Sequence, residues 1–281
     1  VDKEDSTDRS VHYTPRLLAG LLVEQSLAGL DGPAHEARVL DPACGAGVFL
    51  VLTLRELVRR RWLADKERLK DKARRPSKVV IESILHRQIR GFDISESALR
   101  LAALALYITV IELNEITTPP SAHHASKALR NLVLFDQRTE EERSQTGFVN
   151  GSLGDAVEKT FDRSFDVVIA NPPWSRVEGA AKLELDAVAN QIARRVLTSR
   201  DLGEVAANYA NPGGLPDIPF FWRAMEWAKP SGIIGYALDA RLILAQSNVA
   251  TKARNALFQA VSVTGILNGS DLEKTDRKSI V

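Results

Sequence analysis

Asp41-Pro42-Ala43-Cys44-Gly45-Ala46-Gly47 stands between a short apolar run at 37–40 and a longer helical pattern over 47–62. Strand, glycine turn, helix is the local signature of a parallel α/β sheet. Two glycines one residue apart let the backbone turn tightly and let a ligand approach it closely. The helix behind them offers unpaired N–H groups to a carboxylate or phosphate. By itself the turn suits a nucleotide-like ligand and, equally, a tight turn that binds nothing.

The same alternation recurs downstream. The pattern predicts strands at 88–92, 132–135, 147–149, Phe165–Ala170, 233–238 and 261–267. Helices are predicted over 95–113, with Ser95 as cap, over 218–229, ended by Pro230 and Gly232, and over 248–258. Three segments read as insertions: a densely charged one at 66–78, one at 117–127 with Pro119, Pro120, His123 and His124, and a long polar one at 175–214. Long polar loops beside a site often serve as lids or binding elements. The fold class implied is α/β: a twisted, mostly parallel, Rossmann-like sheet with helices on both faces.

The 281 residues are 44% apolar and 26% charged, an ordinary globular composition with no run long enough to cross a membrane. The opening residues do not read as a secretion signal. A single cysteine, Cys44, excludes an internal disulfide framework and suits a reducing cytoplasm. It reads as a small packed residue. With 37 basic and 36 acidic residues the net charge is +1, so any attraction to nucleic acid must be local. The basic run over 55–75 is interleaved with Glu56, Asp65, Glu67 and Asp71, which points to a solvated helix face before phosphate contact. His123 and His124 lack ligand spacing, and no metal site is expected. Val1 and Val281 both look like cut ends, so we expect a piece of a longer protein.

Two further constellations carry chemistry. Asp93, at the end of the second strand, can accept hydrogen bonds from ribose hydroxyls, or simply cap the following helix. Asn171-Pro172-Pro173-Trp174 follows the most apolar strand. The prolines fix the backbone there and free carbonyls from sheet pairing. Asn171 offers a neutral acceptor oxygen. An aromatic amine is a poor nucleophile because its lone pair is delocalised. Acceptors at Asn171 and Pro172 can hold both of its N–H bonds and favour a pyramidal nitrogen. Trp174 presents a flat face on which an extruded base can stack.

The set His12-Tyr13-Thr14-Pro15, Asp41 to Leu50, Gly91-Phe92-Asp93-Ile94 and Asn171-Pro172-Pro173-Trp174 closely resembles the adenine-N6 DNA methyltransferases of bacterial restriction and phage-defence systems. Tyr-Thr-Pro precedes the glycine turn, and no recognition segment separates that turn from Asn171. This order is similar to the gamma group, whose recognition domain lies C-terminal. The resemblance implies one S-adenosylmethionine-dependent methyltransferase domain over 1–281, opened by a helical segment over 1–36, with the target-recognition domain outside this chain. It implies that Tyr13, Thr14 and Pro15 contact the methionine end of the cofactor. Asp41, Ala43, Gly45 and Gly47 form the turn beneath it, Asp93 holds the ribose, and Ile94 packs on the cofactor adenine. Phe220 falls where relatives place an aromatic near that adenine, and reads equally well as a core residue beside Phe221 and Trp222. For the third cofactor element the carboxylate is Asp155, with Asn150 as competitor. The catalytic set is Asn171, Pro172, Pro173 and Trp174. Class I relatives also lead us to expect an antiparallel last strand. The implied partners are double-stranded DNA and a specificity or nuclease subunit or fused domain.

Two other readings stay open. Asn-Pro-Pro-aromatic also occurs in methyltransferases of RNA bases and of protein glutamine. A motif-bearing subunit could also dock DNA without turnover.

Overall fold

The computed structural model describes residues 14–114, 128–144 and 149–267. Five strands form one sheet: β1 Val39–Asp41, β2 Ile89–Asp93, β3 Leu134–Asp136, β4 Phe165–Ala170 and β5 Ala228–Tyr236. Their order is β3-β2-β1-β4-β5 and every pairing is parallel. The chain builds outward from β1 on one side, then crosses to β4 on the other. The switch point therefore lies between β1 and β4, where Leu40 is in register with Val168. In such sheets the crevice beyond the strand ends at that point is where ligands bind.

Strand residues alternate between two apolar layers, which is what the period of two demands. Val39, Val167 and Ile169 pack with helices α1 Arg16–Ala28, α2 Val48–Leu69, α3 Lys78–Gln88 and α4 Glu96–Asn114. Leu40 and Val168 face the other way, onto Ala224 and Trp227. The α/β, Rossmann-like expectation holds, with helices on both faces. Helix α1 sits so close to β5 that any side chain at Gly235 would overlap Ser26 Oγ. Pro230 lies within β5, which is tolerated because β5 is an edge of the described sheet.

Several expectations change. The charged segment 66–78 is no insertion: α2 runs on to Leu69, and α3 begins at Lys78, burying Ile81, Ile84 and Leu85. The polar stretch 175–214 is not a loop. It folds into α6 Gly179–Thr198 and α7 Gly203–Asn208, after a short α5 at Glu140–Arg143. Leu185, Ala189, Ile192, Ala193, Val196 and Leu197 form the buried stripe of α6, which packs on α8 Asp217–Trp227. Asp186 closes the unit by accepting from Lys182 Nζ at 2.8 Å, Asn211 Nδ2 at 2.7 Å and the Gly214 amide at 2.9 Å. After β5 come α9 Arg241–Leu244 and α10 Asn248–Ala260.

Residues 261–267 form no strand, and no antiparallel pair exists among the described residues. Val263, Ile266 and Leu267 are exposed there. A β-prone sequence becomes a strand only beside a partner. Val149 is likewise irregular, while the rest of the strand expected at 147–149, and the segment 117–127, lie outside the described residues. No described helix is long and apolar enough to cross a membrane.

Candidate active site

At the end of β1, Asp41 is fully buried. Its Oδ1 accepts the Ala43 amide at 3.1 Å, while Oδ2 has no donor among the described residues. Burial pushes its carboxyl well above the usual carboxylate range, and the charge of Asp93 adds to this. Gly45 has φ +51°, and the space a side chain would take there is open. Gly47 has φ +86°, and a methyl there would meet Ala102 Cβ at 3.0 Å, so the turn packs directly onto α4. Cys44 is packed: its buried thiol is pushed up by burial, and it would touch any side chain at Gly91 at 3.1 Å.

Asp93 joins the two strands. Its Oδ2 accepts the Gly45 amide at 2.7 Å and its Oδ1 accepts the Ser95 amide at 2.8 Å. It therefore braces the glycine turn and holds Ser95, which caps the following helix by accepting the Ala98 amide on its Oγ at 3.3 Å. Each carboxylate oxygen retains further acceptor capacity. Ile94 is part-exposed and lies against Gly151, where a methyl would overlap its side chain. Ser152 Oγ donates to the Pro42 carbonyl at 2.7 Å, pinning this third element beneath the turn. Asp155 points elsewhere. Its side chain is 79% exposed and lies 3.8 Å from Arg195. Asn150 Oδ1 is buried without a donor among the described residues, and the Asn150 main-chain amide donates to Glu142 at 2.8 Å. Phe220 is buried in the cluster with Leu215, Ile218 and Trp222, and its carbonyl accepts from Tyr236 Oη at 3.2 Å.

Asn171 begins where β4 ends. Its Nδ2 donates to Thr14 Oγ1 at 2.9 Å, joining positions 157 residues apart in sequence. Thr14 and Pro15 lead directly into α1, so the N-terminal element meets Asn-Pro-Pro-Trp at the switch point. Tyr13 lies outside the described residues. Pro172 is buried, Pro173 exposed and Trp174 half-buried. Asp41, Gly45, Asp93 and Asn171 thus gather at the carboxyl ends of β1, β2 and β4, and Thr14 joins them.

The model of the N-6 DNA methylase family matches residues 3–271. The chain belongs to the N-6 DNA methylase family. Among curated proteins no relative matches this methylase sequence. Among solved structures it is similar to the ATP-dependent Type ISP restriction-modification enzyme LlaBIII bound to DNA, at 16% identity and TM-score 0.57. It is similar also to a nuclease-deletion mutant of the Type ISP enzyme LlaGI in complex with a DNA substrate mimic, at 16% and 0.56. The DrdV–DNA complex matches at 15% and 0.53. These alignments cover 90%, 89% and 89% of the methylase chain, but only 16%, 20% and 22% of the larger chains.

Sequence reasoning overlooked one group of residues that the fold brings to Trp174. Ala237, Asp239 and Arg241, just past β5, flank Trp174. Trp174 Nε1 donates to the Ala237 carbonyl at 3.3 Å, and Arg241 Nη2 donates to the Trp174 carbonyl at 3.1 Å. Asp217, at the start of α8, is buried beneath them, and burial and the Asp239 charge push its carboxyl up to about 6. No spacing marks these residues, because β5 brings them to Trp174 only through the sheet. The basic run behaves as a solvated helix face: Arg59 and Arg60 pair with Glu56, at 2.7 and 2.6 Å, and Arg61 and Arg68 pair with Asp65.

Proposed function

We propose that this chain is the catalytic domain of an enzyme that methylates N6 of adenine in duplex DNA, using S-adenosylmethionine, in restriction-modification or phage defence. The observation that carries the reading is the Asn171–Thr14 hydrogen bond, which joins the Tyr-Thr-Pro and Asn-Pro-Pro-Trp elements at the switch point. The residues fit the cofactor on two counts. Asp41 Oδ2 is a buried acceptor with no donor among the described residues, suited to a cationic or N–H group. Gly45 leaves open space in front of a turn that Asp93 braces.

S-adenosylmethionine, when bound, supplies an electrophilic methyl on a sulfonium. Asp93 keeps acceptor capacity for ribose hydroxyls, and Ile94 gives an apolar surface for the adenine ring. Asn171, its amide oriented by Thr14, and the Pro172 carbonyl accept the N–H bonds of the target amino group. That turns the nitrogen lone pair out of conjugation and toward the methyl. Trp174 stacks on the extruded base and returns about 1–3 kcal/mol of the unstacking cost. Rate comes from positioning and preorganised acceptors. Sequence recognition and any nuclease belong to other domains or subunits, in keeping with the small share of the larger enzymes that this chain spans.

Transfer of a labelled methyl from S-adenosylmethionine to adenine-containing duplex, by the full-length protein, tests the reading. Asn171→Ala should leave cofactor affinity nearly unchanged and lower turnover by about two orders of magnitude or more. Normal turnover by that variant would remove Asn171 from the chemistry. Methyl uptake by RNA or protein glutamine instead of DNA would replace the substrate.

A further inference from the structure

We infer that Arg241 is a positioning residue that holds Trp174 in its stacking pose from the turn after β5. The inference rests on the proposed role of Trp174. Pro172 and Pro173 have no N–H groups, so this loop cannot pin itself through backbone donors at those positions. It is gripped from outside instead. The Ala237 amide donates to the Ala170 carbonyl at 2.9 Å, carrying the β4–β5 pairing one step past the strand. The Ala237 carbonyl then takes the Trp174 indole N–H, and Arg241 takes the Trp174 carbonyl. The tryptophan is thus held at the ring and at the main chain by residues four apart.

Arg241 is itself oriented. Its guanidinium lies 2.9 Å from Asp239 Oδ2, and its amide donates to Asp239 Oδ1 at 2.8 Å. Beneath the turn, the buried carboxyl of Asp217 accepts the Asp239 amide and faces Arg241, which seats the turn on the start of α8. A planar guanidinium can reach a carboxylate and a carbonyl at the same time, which a lysine ammonium does less well. Arg241 is 43% exposed, so it works from the rim of the site and not from its core. An indole ordered before the base arrives need not be ordered on capture, which favours stacking and reaction.

The test uses the full-length protein with Arg241→Ala, Arg241→Lys and Asp239→Asn. Trp222 and Trp227 are fully buried, so in a Trp62→Phe background acrylamide quenching reports Trp174. A Trp62→Phe, Trp174→Phe control sets the remainder. Arg241→Ala should raise quenching in the first background and not in the control. It should also lower kcat by about tenfold or more, the scale of one lost charge-assisted hydrogen bond. KM for the cofactor and the melting temperature should stay near wild type. Emission from 2-aminopurine at the target position should change, and Arg241→Lys should recover part of the loss. Unchanged quenching in Arg241→Ala and Asp239→Asn overturns the clamp. Raised quenching with unaltered kcat and 2-aminopurine signal overturns its role in positioning. If wild type methylates no DNA, the proposed function fails, and the quenching comparison still decides whether the clamp exists.

Discussion

Asp217→Asn offers a test worked directly from the structure. Asp217 is 2% exposed, and its carboxyl is pushed up to about 6 from an ordinary 3.8 by burial first and by Asp239 second. Below about pH 4 the folded and unfolded chains both hold this proton, and the group has no effect on folding. Between about pH 4 and 6 the unfolded chain releases it while the folded chain keeps it, so stability falls as pH rises. Each pH unit across that interval removes about 1.4 kcal/mol. The loss is complete above about pH 6, at about 3 kcal/mol. Asparagine cannot ionise and still offers an oxygen to the Ile218 amide. Relative to wild type, Asp217→Asn should therefore gain about 3 kcal/mol between pH 4 and 7.5. Urea unfolding followed by circular dichroism at both pH values measures it, with the m-value compared as a control for two-state behaviour. A gap between the two proteins that does not change with pH would refute the reasoning.

Other predictions concern the cofactor end. Asp93→Ala should weaken S-adenosylmethionine binding by about 1.5–3 kcal/mol in titration calorimetry, because hydrogen bonds to a charged acceptor are lost. It should also loosen the glycine turn that Asp93 braces, visible as faster hydrogen exchange at Gly45. Gly151→Ala places a methyl at φ +50° against Ile94, and should cost about 1–3 kcal/mol of stability, read from thermal melting. Asp155→Ala should leave cofactor affinity unchanged in the same calorimetry, since that side chain faces solvent and Arg195.

Much of this is legible in the sequence. The glycine turn, Asp93 and Asn-Pro-Pro-Trp each follow an apolar run, and parallel strands place such run ends along one edge of a sheet. What stayed hidden has physical causes. The stripe of α6, from Leu185 through Leu197, has helical spacing, but its polar composition and its place after Trp174 suggest a loop. Strand propensity at 261–267 was real, yet a strand needs a partner, and none pairs there among the described residues. Asp155 suits the third element by residue type, but its side chain lies exposed, 3.8 Å from Arg195, and no local pattern foretells that.

Some elements follow from local chemistry alone. Glycines at 45 and 47 allow a turn with positive φ, prolines at 172 and 173 remove donors after β4, and apolar runs define buried strands. Which distant groups meet is a property of the assembled fold. Strand order is set by packing two apolar layers onto opposite sheet faces, a property of the whole chain and not of any window in it. That packing brings Thr14 to Asn171, Ser152 to Pro42 and Arg241 to Trp174. None of these pairs has a spacing signature, because hydrogen bonds depend on separation in space, which the sheet supplies.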